Sequence, residues 1–167
     1  PQLFGLRFPD NMKPTISRLM VYDLNDNIFD EYTPRKEYST KAHNNGTYSL
    51  NSVNPIVVAG KFGLAISSID RHRAGGFQNG VYSIELFIDG KAVSTVLFEE
   101  LDFRSSRGIH AYIDYAHWKK TKVKFQKSFK DPGNPIEILK NLHNNGIIRL
   151  DEARSYAAKY VVKDVAG

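Results

Sequence analysis

Apolar and polar residues alternate with period two through the middle of the chain. In Val81-Tyr-Ser-Ile-Glu-Leu-Phe-Ile88, the residues Tyr82, Ile84, Leu86 and Ile88 share one face. Ser83 and Glu85 take the other, which is the signature of a half-buried strand. Asp89-Gly90 follows, and then the β-branched run Lys91 to Phe98. Asp-Gly between two such runs predicts a two-residue hairpin turn, because both turn positions need a positive φ. Burying each large side chain of the Tyr82 face stabilises by about 1.5–3 kcal/mol. The hairpin therefore belongs at the centre of the core.

Other runs are extended as well. Ile16 to Leu24 follows Lys13-Pro14, and proline disfavours helix just before it. Ile56 to Gly60 and Phe62 to Ile69 read as one long β run, with a bulge or bend expected at Gly60 and Gly63. Ala157 to Val162 is short and β-branched at its end. Turn clusters separate these runs, including Asn25-Asp26-Asn27, His43 to Gly46, Ala74 to Gly76, Asp131 to Asn134 and Asn144 to Gly146. Two stretches read as helical, 109–120 and 135–142. The pattern predicts an all-β, immunoglobulin-like antiparallel β-sandwich with short helical insertions. Residues 1–14 are expected to be a lead-in from a preceding domain, and residues 15–167 the sandwich.

Composition narrows the class without naming a function. Of the 167 residues, 41% are hydrophobic and 25% charged, which excludes collagen-like, disordered and helical membrane-spanning chains. No apolar stretch approaches the roughly 20 residues of a spanning helix. The chain holds no cysteine, so a disulfide framework and cysteine-based zinc sites are excluded. A chain opening on Pro1 is expected to be a processed or excised piece. Charge is unevenly placed. Lys and Arg number 23 against 18 Asp and Glu, yet His117 to Lys130 alone carries six lysines and no acid. The remainder holds 17 basic and 18 acidic residues, so the whole excess is one patch.

Few residues offer catalytic chemistry. Among His43, His72, His110, His117 and His143, only His110 has a ligand-like partner. His110-Ala-Tyr-Ile-Asp114 places both groups on one helical face, as two zinc ligands would be. Such a spacing arises readily by chance, and the plainer expectation is a half-exposed histidine near a helix end. Glu99-Glu100 with Asp102, and Asp151-Glu152, are adjacent acids. Neighbours on a strand point to opposite faces, so neither adjacent pair converges on a substrate. Arg73 to Gly80 is glycine-rich but fits no phosphate loop. Serine lacks a Gly-x-Ser-x-Gly setting.

The lysine segment has more contrast. Trp118, Phe125 and Phe129 interleave with Lys119, Lys120, Lys122, Lys124, Lys127 and Lys130. Ammonium groups beside rings grip anionic polymers by charge and stacking, whether envelope polysaccharide or, less favoured here, nucleic acid. The plainer reading is an amphipathic strand with Val123, Phe125 and Phe129 inward and the lysines solvated. Alternation through Lys122-Val-Lys-Phe-Gln126 supports it.

Gly80 to Gly90, with Ile69-Asp-Arg71 before it and Tyr112-Ile-Asp-Tyr115 after it, resembles a set of secreted proteins. These are the lysostaphin-type (LytM-like) zinc metallopeptidases of Bacteroidetes-type bacteria. Pro1-Gln-Leu-Phe-Gly-Leu6 resembles the end of their peptidase barrel, and Lys13 to Ile16 the opening of the immunoglobulin-like region that follows. The resemblance implies a non-catalytic accessory module in a peptidoglycan endopeptidase of the periplasm, envelope or exterior. Such a module positions the peptidase or binds an envelope partner. Zinc is implied only in the parent's catalytic domain, because the His-x-His of those enzymes is missing here and no role passes to His110 or Asp114. Asp164-Val-Ala-Gly167 resembles the start of a turn before a last strand. The strand at 157–162 is therefore expected at a sheet edge, open to pairing with another chain.

Overall fold

The computed structural model describes residues 12–26, 29–71, 76–99 and 108–165. Pro1 to Leu6, His72, Glu100, Asp102, most of the glycine-rich stretch before Gly76, and the final Ala166 and Gly167 lie outside the described residues. Among the described residues, ten strands and two short α-helices run in the order β1 (Thr15–Asp23), β2 (Arg35–Ala42), β3 (Tyr48–Leu50), β4 (Lys61–Ile69), β5 (Ser83–Ile88) and β6 (Lys91–Leu97). They continue as α1 (Ile109–Tyr112), α2 (Tyr115–Thr121), β7 (Gln126–Lys127), β8 (Leu139–Lys140), β9 (Ile148–Arg149) and β10 (Ala158–Lys163). All strand pairings are antiparallel. One sheet has the order β3-β2-β1-β4-β7, with β9 also along β4, and the other β10-β5-β6-β8. The chain is an all-β sandwich.

The predicted hairpin is present. Asp89 and Gly90 have φ of 48° and 77°, as a primed turn requires, and β5 pairs with β6 from Ser83 to Ile88 with one register shift between Leu86 and Phe87. Ile84 and Leu86 are 1% and 0% exposed, while Tyr82 and Ile88 are half-buried. Leu86 meets Val21, Phe62, Leu64 and Val93 between the sheets. That contact is the inter-sheet core.

The first sheet is covered on both faces. Alternate residues of β1 and β4, Val21, Phe62 and Leu64, face the second sheet. The intervening Met20, Tyr22 and Ala65 face away from it and pack against Phe125 and Phe129. Phe125 and Phe129, which flank β7, thus form with α2 an outer layer over β1 and β4. Gly63 permits that layer to sit close, since a Cβ there would lie 2.5 Å from the Phe129 ring.

Several expectations are corrected. Residues 56–60 are not strand, and Gly60, at φ 68°, ends the approach to β4. In the β1–β4 ladder the register shift lies on β1, between Ile16 and Arg18, and not at Gly63. Residues 135–142 are not helical: Ile136 and Ile138 are buried alternately, β8 is the regular part, and Asn141 turns the chain at φ 49°. The helix expected at 109–120 is two pieces, because Ile113 is extended (φ −95°, ψ 158°) and bridges to Gln126. Among the described residues no helix is long and apolar enough to cross a membrane.

Candidate functional site

Beneath the outer layer lies a buried cluster of two cations and two acids. Asp114 caps α2 by accepting the His117 N–H at 3.1 Å. Its other oxygen accepts from the Tyr22 hydroxyl at 2.9 Å and from Arg35 Nη1 at 2.5 Å. Asp114 is 1% exposed, so a carboxylate there needs such donors. Arg35 gives its remaining donors to the carbonyls of Asp30, Glu31 and Thr33, which fixes the 30–33 turn. Burial, and then Asp114, push the Tyr22 phenol far above its ordinary range.

Lys127 and Asp131 form the second pair, with Nζ 2.5 Å from Oδ2. The ammonium end is shut in, since the Lys127 side chain is 0% exposed and that of Asp131 20%. Nζ also stands 3.9 Å from the centre of the Phe29 ring and 5.1 Å from that of Phe129. Phe29, Phe129 and Tyr22 contact one another edge to face at 5.2–5.6 Å. Burial lowers the Lys127 ammonium from its ordinary value and raises the Asp131 carboxyl, and each partner opposes the other's shift. This cluster ties the start of α2 to β1 and β2, and β7 to the rings above them.

The lysine segment divides around it. Lys119, Lys120, Lys122 and Lys124 are exposed, Lys130 is half-buried, and Lys127 is in the core. Phe125 and Phe129 are 0% and 2% exposed and cannot stack on a polymer. Phe125, Lys127 and Phe129 share one parity of an extended chain, which was the available signal that Lys127 turns inward. A different aromatic set reaches the surface. The His110 and Tyr115 rings are 5.2 Å apart, Tyr115 and Trp118 are 5.5 Å apart, and Lys124 Nζ is 5.6 Å from the Trp118 ring. Lys122, in the left-handed region at φ 63°, closes α2 and turns the chain so that Lys124 returns over Trp118. A ladder of three rings edged by four exposed lysines results. Sequence reading missed His110 and Tyr115 in it because their contact spans the break between α1 and α2.

The remaining candidates do not converge. His110 is exposed in the ladder, while Asp114 is committed to Tyr22, Arg35 and the α2 cap, so the two do not fit a shared metal. His43 bonds the Ser49 hydroxyl at 2.9 Å, and His143 is exposed in the 143–146 turn. His117 packs on Phe125 and lies 3.7 Å from Glu37. Glu99 accepts from the Tyr82 hydroxyl at 3.0 Å. Asp151 and Glu152 are exposed beside Arg149 and Arg154. Comparisons with family models, curated proteins and solved structures return no match to this chain.

Proposed function

We propose that this chain is a binding module without catalytic chemistry of its own, and that its α2 surface holds an anionic polymer. The observation that supports this is the ring ladder His110–Tyr115–Trp118, bordered by Lys119, Lys120, Lys122 and Lys124. Ring faces stack on flat or apolar units while ammonium groups meet regularly spaced negative charges. In the setting implied by the resemblance, the polymer is an anionic polysaccharide of the cell envelope. The module, immunoglobulin-like in kind, then holds a cell-wall zinc metallopeptidase near its substrate.

The test is binding of the purified chain to polygalacturonate, with neutral dextran as control, across a salt series. Binding to the anionic glycan alone is expected, weakening as salt rises. Replacing the four lysines by alanine should flatten the log–log salt slope by about 3, at roughly 0.7 per cation as for single-stranded polyanions. Trp118→Ala should weaken binding at every salt concentration while keeping the slope. Equal binding to dextran, or full retention by the four-lysine variant, rejects the reading.

A further inference from the structure

The second sheet ends at β10, which among the described residues pairs with β5 alone. Alternate residues of an edge strand direct their N–H and C=O groups away from the sheet, where an extended backbone can replace water and match them in register. Beside this edge, between β10 and the first sheet, runs an open cleft of about 1400 Å³. It is lined by Leu19, Val21, Ile56, Val58, Phe62 and Tyr160 among others. The volume exceeds the roughly 300–1,000 Å³ of ordinary small-molecule pockets. Tyr160 and Val162 pack inward toward the core beside the cleft. Lys159 and Lys163 take the opposite face, where Lys163 lies 3.4 Å from Glu85.

From these features we infer that the β10 edge is a docking site for an extended strand of another polypeptide, apolar at alternate positions and acidic at those between. The apolar side chains enter the cleft, the backbone continues the β10 ladder, and the acids face Lys159 and Lys163. The same lysines disfavour a second copy of this chain as occupant. Two β10 strands paired antiparallel about Val161 set Lys159 opposite the partner copy's Lys163 twice, and like charges directly opposite are destabilising. The inference uses a surface separate from α2 and stands apart from the polymer reading.

The probe is a synthetic heptapeptide, Glu-Val-Glu-Ile-Glu-Val-Glu, compared with the same peptide carrying lysine for glutamate. The acidic peptide should bind at least about tenfold tighter and slow amide exchange along β10. In the double variant Lys159→Glu, Lys163→Glu, that preference should reverse. Backbone N-methylation at alternate peptide positions should abolish binding, because the ladder donors are lost. The four-lysine α2 variant should bind the peptide as the natural chain does, which separates the two proposals. No binding near millimolar peptide, or no effect of the charge reversal, overturns the inference. So does self-association through β10 in sedimentation, which makes a second copy the occupant. Binding that appears only after deletion of residues 1–11 also overturns it, because the cleft is then taken by the chain itself.

Discussion

Tyr22 and Asp114 are 92 residues apart in sequence and joined by a hydrogen bond of 2.9 Å in the interior. One lies on the central strand of the first sheet, the other at the start of a helix in the layer above it. Because Asp114 also takes Arg35 from β2, one carboxylate joins three elements. The outer layer is therefore placed by polar geometry as well as by the rings of Phe125 and Phe129.

Asp114→Asn tests that role. Asparagine still caps α2, so the helix start is retained. Arg35 loses its counter-charge, and breaking one side of a buried pair costs about 3–5 kcal/mol. The lower end is expected, because the Arg35 side chain keeps 15% exposure. Urea unfolding measures the difference, and a cost below about 1 kcal/mol would show that the pair does not form.

The two halves of the Lys127–Asp131 pair should respond unequally. Asp131→Ala strands an ammonium group whose side chain is 0% exposed, and should cost about 3–5 kcal/mol. Lys127→Met leaves a carboxyl with a side open to water and already raised toward its neutral form, so its cost should be clearly smaller. Thermal unfolding of both variants gives the order. Polymer binding at α2 should be unchanged in Lys127→Met.

Acid stability has a named contributor at the hairpin tip. The Ala157 N–H and then Arg154 hold the Asp89 carboxyl below its ordinary 3.8. A depressed folded value means that the unfolded chain takes up the proton first. The stabilisation is present above 3.8 and is lost as pH falls from there through the folded value. Asp89→Asn keeps a residue that tolerates φ of 48° but removes the titration. Melting temperatures from about pH 5 to about pH 2.5 should fall less in the variant than in the natural chain. Parallel curves would assign the acid sensitivity to other groups.

Leu86→Ala probes the inter-sheet core. The side chain is 0% exposed and held between strands on both sides, so the site cannot collapse easily. A loss of about 2–5 kcal/mol in chemical unfolding is expected. A loss below 1 kcal/mol would be incompatible with this packing.

What could be seen in the sequence was set by how strongly each segment advertises one periodicity. The β5–β6 hairpin carried both signals, alternation and an Asp-Gly turn, and it formed as expected. In Arg35-Lys-Glu-Tyr-Ser-Thr-Lys-Ala42 only Tyr38 is large and apolar, so β2 left no trace, although Arg35 to Ser39 pair with β1 and Thr40 to Ala42 with β3. The two-residue strands β7, β8 and β9 are shorter than any period can register. Ile136, Ile138, Leu139 and Leu142 satisfy helical and extended spacings together, and packing against the β6 edge decided for extended. At the α2 surface the lysines and Trp118 were visible, but the His110 and Tyr115 rings beside them were not. Phe125 and Phe129 were needed as a lid over Tyr22, and Tyr115 took their place outside.

The placement of Trp118 has an optical consequence. It is the chain's single tryptophan, and it sits on α2 in the outer layer, with an ammonium group 5.6 Å from its ring. Its emission therefore reports the attachment of that layer and not the sheets beneath. Far-ultraviolet circular dichroism follows the strands instead. If the layer peels away before the sheets separate, the two signals will trace different unfolding curves, and only their coincidence would license a single free energy for the whole chain.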